Sequence, residues 1–232
     1  QLGDHSWHQL ERRAASRLIV GFDGMEMTPE LGALIDTGIS GVILFRRNVQ
    51  SPEQVAWLNA AIVERAARPF FVSVDQEGGP VQRMRTPFTE FPPHGVLGAI
   101  DDADLTAKVA SVMARELKAI GFNLDYAPVA DVNSNPTNPV IGIRSFGADP
   151  ERVACHVKAW IRGMHGAGVM ACAKHFPGHG DTSLDSHYAL PSLPHGRKRI
   201  DDIELVPFRA SIKENVGSIM TAHVVFQALD PK

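Results

Sequence analysis

Six short apolar runs punctuate the chain. They are RLIVGF (17–22), GVILF (41–45), FFVSV (70–74), NLDYAPV (123–129), VMACA (169–173) and SIMTAHVV (218–225). Each is continuously apolar, or nearly so, and does not alternate with polar residues. A strand wetted on one face alternates, whereas a strand covered on both faces does not. The pattern therefore predicts parallel strands with helices on either side. Between the runs the period changes to that of a helix. Over 103–120, Leu105, Val109, Met113, Leu117 and Ile120 step by three or four residues and form one apolar face. Over 150–166, Val153, Val157, Trp160, Ile161 and Met164 do the same. Three helix starts share one device: Thr28-Pro29-Glu30, Ser51-Pro52-Glu53 and Asp149-Pro150-Glu151. Each offers a capping oxygen, a proline in the first turn and a carboxylate at the positive end of the helix dipole.

Strand and helix alternate with helix-length crossovers, which points to a parallel α/β architecture of sheet or barrel type. Barrels of eight such units run to about 250 residues. The 232 residues here hold six of the runs. The expectation is a (β/α)8-type TIM barrel with about six β/α units in this chain. That makes 1–232 one domain, incomplete at its carboxyl end, because six strands alone would leave sheet edges uncovered.

Composition narrows the function. A formal net charge of −3, without a dense Lys/Arg run, argues against nucleic acid or an anionic membrane surface as partner. No apolar run reaches the roughly 18 residues of a membrane span. Cys155 and Cys172 form no CxxC pair and read as small buried residues. They permit a reducing compartment, so a cytoplasmic location is expected. The missing initiator Met leaves room for a removed leader. A monomer acting on a small neutral or weakly anionic substrate, with no cofactor and no metal, fits this balance.

In a β/α barrel the chemistry gathers just beyond the carboxyl ends of the strands. Those positions hold Asp75, in VDQEGGPVQR; Asp131, in APVADVNSNPTNPVIGIRSF; Lys174 and His175; and His223. Gly78-Gly79-Pro80 predicts a tight loop that presents Asp75, with Arg83 close behind. Arg144 is either half of a loop ion pair or a donor to a ligand hydroxyl or acyl group. Asp131 and Asn133 read as loop-shaping residues. The stretch KHFPGHGDTSLDSH (174–187) admits three readings. His175, His179, Asp181, Asp185 and His187 could surround zinc, but Pro177, Gly178 and Gly180 deny them a regular scaffold. They could form a buried polar cluster. Or Lys174 and His175 grip a ligand from the strand end, while a loop carries His187 as a proton donor oriented by Asp185.

The strings VDQEGGPVQR, APVADVNSNPTNPVIGIRSF, AKHFPGHGDTSLDSHYALP and SIMTAHV lie in order and span most of the chain. Together they resemble the bacterial β-N-acetylglucosaminidases of glycoside hydrolase family 3, the NagZ type. The resemblance implies an eight-unit barrel and hydrolysis of terminal non-reducing β-linked N-acetylglucosamine (GlcNAc) with retention of configuration. The implied substrates are GlcNAc-containing muropeptides of cell-wall recycling or chitooligosaccharides. Asp75, Arg83, Arg144, Lys174 and His175 fall on the family's sugar-binding positions. His187 falls on its general acid/base and Asp185 on the partner of that histidine. A β-glucosidase or a GlcNAc phosphorylase of the same superfamily is the alternative within the class. A non-catalytic sugar-binding or truncated protein is the alternative outside it. Pro80 and Ile143 depart from the family's usual Arg and polar residue. The larger departure is the lack of an "SDD"-like segment carrying the nucleophilic aspartate, which is therefore expected beyond residue 232.

Overall fold

The computed structural model describes residues 4–185 and 190–230. Its strands are β1 (Ile19–Gly21), β2 (Gly41–Leu44), β3 (Phe71–Val74), β4 (Gln76–Gly78), β5 (Val81–Gln82), β6 (Leu124–Asp125), β7 (Met170–Phe176), β8 (Ser192–Leu193), β9 (Ser218–Thr221) and β10 (Val225–Phe226). The helices are α1 (Asp4–Ala15), α2 (Pro29–Asp36), α3 (Pro52–Ala66), α4 (His94–Ile100), α5 (Ala103–Ala119), α6 (Pro150–Gly166), α7 (Arg197–Arg199) and α8 (Val206–Lys213). The main sheet has the order β1-β2-β3-β6-β7-β9, and every neighbouring pair is parallel. Each of the six predicted runs contributes one strand to it. Two smaller pairs flank the sheet: an antiparallel hairpin of β4 and β5, and a parallel pair of β8 and β10.

The strands are shorter than their apolar runs for identifiable reasons. The run at 123–129 gives only Leu124–Asp125. Pro128 has no N–H to offer a ladder. The chain still follows β7 beyond Asp125, through Cys172 N–H to the Ala127 carbonyl and Lys174 N–H to the Pro128 carbonyl. The run at 218–225 splits, because Val225–Phe226 leaves the sheet to pair with Ser192–Leu193. Conversely, β7 extends to Phe176. Lys174 and His175 therefore belong to the strand itself and not to the loop after it.

The helix starts follow the predicted device. Thr28, Ser51 and Asp149 each accept a hydrogen bond from the backbone N–H three residues on. Asp102 caps α5 in the same way. Replacing Asp149 by Ala is expected to cost about 1 kcal/mol, read as a lower urea midpoint with an unchanged slope. The α5 and α6 helices pack closely at Gly163, where a Cβ would stand 2.3 Å from the Ala107 carbonyl oxygen. Val42, Leu44, Val72, Val74, Trp160 and Met164 lie in the buried core between sheet and helices. Cys172 is buried, but Cys155 is exposed, contrary to expectation. Position 155 is two residues from both Val153 and Val157, so the helical period turns it away from their buried face.

Candidate active site

The sheet's carboxyl end opens into a cavity of about 390 Å³. Its walls include Asp75, Arg83, Arg144, Lys174 and His175, five of the seven residues that the family resemblance marks, and also His179 and His223. The hairpin β4–β5 forms one wall. Gly78 and Gly79 turn it with φ of +89° and +57°. A Cβ on Gly78 would lie 2.4 Å from the Pro92 carbonyl oxygen, so the tight turn needs glycine. Gln76 locks the hairpin. Its side-chain oxygen accepts from the N–H of Arg83 and Met84, and its amide donates to the Met84 carbonyl.

Lys174 is the hub. It is 2% exposed, and its Nζ lies 2.9 Å from Asp75 Oδ1 and 2.6 Å from Glu77 Oε1. Glu77 is also gripped from the other side by Arg144, whose Nε and terminal nitrogen donate to the two carboxylate oxygens at 2.9 and 2.8 Å. Arg83 stands 3.7 Å from the other oxygen of Asp75. Burial by itself would raise the Glu77 carboxyl. The charges of Lys174 and Arg144 outweigh it and hold the group well below the usual carboxylate range. Burial likewise works against the Lys174 ammonium, and Glu77 and Asp75 raise its pKa in spite of that. The sequence reading missed Glu77. Arg144 is half of an ion pair, as one of its two readings expects, and it also lines the cavity.

His175 is set by a second carboxylate. Asp131, fully buried, accepts from His175 Nδ1 at 2.7 Å through one oxygen. Its other oxygen accepts the N–H of His175 at 3.2 Å and of His179 at 2.7 Å. Asp131 thus shapes the loop as expected, but it also orients the His175 ring, a role the sequence reading did not give it. Burial would raise its carboxyl, and the His175 charge brings it below the ordinary value.

Of the other potential zinc ligands, His179 lies beside this pair, its ring 5.9 Å from that of His175, whereas Asp181 is engaged elsewhere. Asp181 binds His195 Nε2 at 2.6 Å and Arg199 at 3.2 Å, and Ser134 donates to its second oxygen. His179 Nδ1 is 2.8 Å from the Thr182 hydroxyl. Among the described residues no group of three or more His, Cys, Asp or Glu is arranged to hold a metal ion. His187 lies outside the described residues, and so does the pairing with Asp185 expected for it. No described helix is long and apolar enough to cross a membrane.

A buried lattice of alternating acids and bases at the carboxyl end of a parallel sheet is a rigid set of donors and acceptors. It suits a small polar ligand rich in hydroxyls. The chain belongs to glycoside hydrolase family 3: the Glycosyl hydrolase family 3 N terminal domain matches residues 15–232. It is 42% identical over 221 residues to a β-hexosaminidase of Alkalilimnicola ehrlichii, covering 92% of this chain and 63% of that protein. The structure of a family 3 β-N-acetylglucosaminidase from a Paenibacillus species superposes with a TM-score of 0.94 at 45% identity, over 96% of this chain and 43% of that one. NagZ from Neisseria gonorrhoeae, in complex with N-trifluoroacetyl-D-glucosamine, superposes with a TM-score of 0.89 at 37% identity, over 93% of this chain and 66% of the other. The chain thus spans less than two thirds of each of these relatives. The β/α barrel expectation agrees with these neighbours, and six of its units are present here.

Proposed function

We propose that the intact protein is a retaining exo-β-N-acetylglucosaminidase. It would release terminal non-reducing GlcNAc from muropeptide fragments or chitooligosaccharides in the cytoplasm. The observation that carries this reading is the lattice of Asp75, Lys174, Glu77 and Arg144 in one cavity with Arg83 and His175. Its charges largely cancel, which favours a neutral sugar over an anion, and its atoms are fixed before binding. The sugar bound in the Neisseria relative supports the substrate class.

In this mechanism an aspartate attacks the anomeric carbon while His187, oriented by Asp185, gives its proton to the departing oxygen. A covalent glycosyl-enzyme results. His187 then takes a proton from water, which attacks the same carbon and frees the aspartate. Asp75, Glu77 and Asp131 are held in ion pairs, and Asp125 is sealed beneath them. None of these four is placed for the attack, which supports a nucleophile outside residues 1–232.

The test is hydrolysis of a chromogenic β-GlcNAc glycoside against the matching glucoside by the intact gene product. The GlcNAc substrate is expected to be cleaved far faster. His187→Ala should lower turnover by about 100-fold or more with the fold retained, in line with the loss of a general acid. A variant with near-normal turnover on an unactivated substrate would remove His187 from this role.

A further inference from the structure

The glycine-rich helix α4 lies beneath Arg144 and has no part in the chemistry described above. Its first residue, His94, is 1% exposed. His94 Nδ1 is 3.0 Å from the carbonyl oxygen of Arg144. A carbonyl only accepts, so Nδ1 carries the hydrogen. The ring is clamped. Phe146 stacks on it with centroids 4.3 Å apart and planes 10° from parallel, and Trp160 meets it edge-on at 4.5 Å. With the ring plane fixed, the direction of the N–H is fixed too. Trp160 comes from α6, so this clamp ties the cavity wall to the protein core.

The rest of α4 approaches the same loop with no side chains in the way. A Cβ at Gly95 would stand 2.9 Å from the Ile143 carbonyl oxygen, and one at Gly98 would stand 1.7 Å from that of Phe146. The loop from Ile143 to Phe146 therefore rests on the bare backbone of α4. Arg144 itself sits in a short 3-10 turn, Gly142–Arg144. Its main chain is held from below by His94 and its guanidinium from above by Glu77. A long flexible side chain is thus tethered at both ends.

We infer that His94 is a positioning residue of the sugar site. It sets the main chain of Arg144, so that the guanidinium meets Glu77 and the ligand in one geometry. This inference rests on the proposed sugar-binding role of the cavity. It separates from that role through a measurement that needs no substrate.

The measurement is hydrogen exchange of the Arg144 Nε–H in the intact protein, followed by nitrogen-15 NMR and assigned with Arg144→Lys. Two variants are compared. His94→Phe keeps an aromatic ring in the stack but removes the donor. His94→Asn places an amide N–H where Nδ1 was. Exchange is expected to quicken by about tenfold in His94→Phe, the scale of one buried hydrogen bond lost, and to be largely restored in His94→Asn. KM for the GlcNAc glycoside should rise by about tenfold in His94→Phe with kcat within about threefold, and should recover in His94→Asn. Unchanged Arg144 exchange in His94→Phe overturns the inference. So does an equal effect in both variants, which would mean that only packing matters. If the wild-type protein does not cleave the GlcNAc substrate, the proposed function fails, and the exchange data still decide the role of His94.

Discussion

Lys174→Met should be both unstable and inactive, and one further substitution should pull the two effects apart. Methionine keeps most of the length and apolar volume of the stem but removes the charge. Glu77 would then be left buried with Arg144 alone, and Asp75 with an Arg83 that is 3.7 Å away. Breaking a buried pair from one side costs about 3–5 kcal/mol, because the remaining charge loses its compensation. The expected result is a fall of that order in unfolding free energy by urea denaturation. It should be accompanied by a loss of about 100-fold or more in kcat/KM, since the charged contact proposed for the sugar goes with it. Adding Asp75→Asn should return much of the stability, because Glu77 keeps Arg144 while the carboxylate left without a close partner is gone. Activity should not return. A loss of less than about 1 kcal/mol in the single variant would mean that the lattice is ordinary surface pairing and not a buried one.

The fold was legible because burial on both faces leaves a coarse trace. Six continuous apolar runs became six parallel strands, and three Pro-Glu devices became three capped helices. What the runs did not reveal was where each strand stops. That depends on which partner supplies the next hydrogen bond, as with Pro128 and with the diversion of Val225–Phe226. Asp75, Lys174 and His175 were legible by topology, since the carboxyl ends of the strands converge, and the family resemblance added Arg83 and Arg144. All five line one cavity.

Glu77 was missed because its role arises only when the hairpin turns it back toward β7. A charge count could have found it. Lys174, Arg144 and Arg83 were assigned to one pocket with Asp75 as the sole acid beside them, and buried cations call for partners. His94 left no such trace. Pro92-Pro93 precedes a seven-residue helix, opened by His94, that is too short to show a period. His94 is reached through a carbonyl, which has no signature in sequence.

Asp125 offers the second large effect, and its sign runs against habit. It is fully buried at the end of β6. One oxygen accepts the Gln76 N–H at 2.9 Å, and the other has no hydrogen-bond partner among the described residues. Burial pushes its pKa well up. The Gln76 N–H and Lys174 pull the other way, and the charges of Asp75 and Glu77 add to the rise. Those two acids already hold Lys174 and Arg144, and Arg83 stands beside Asp75, so an ionised Asp125 would lack a close cation of its own.

A raised carboxyl holds a proton in the folded state that the unfolded chain releases above about pH 4. Folding stability should therefore fall as pH rises, by up to about 1.4 kcal/mol per unit, until the folded-state pKa is passed. His94 does the opposite. Burial lowers it to about 4 from 6.5, so its contribution grows with pH between those values and is flat above. Glu77, being lowered, is lost only under acid conditions below about pH 4.5. Above pH 6.5 His94 and Glu77 thus add no slope of their own.

Asp125→Asn should match the wild type near pH 4 and be the more stable protein at pH 8, with the high-pH decline flattened. Its amide oxygen can still accept from Gln76. Urea midpoints at pH 4, 6 and 8 decide it. A variant less stable by the same amount at all three values would show that Asp125 does not take up a proton on folding. In that case the lattice above it would have to tolerate a third negative charge, and the near-neutral sugar site argued from it would be wrong in its electrostatics.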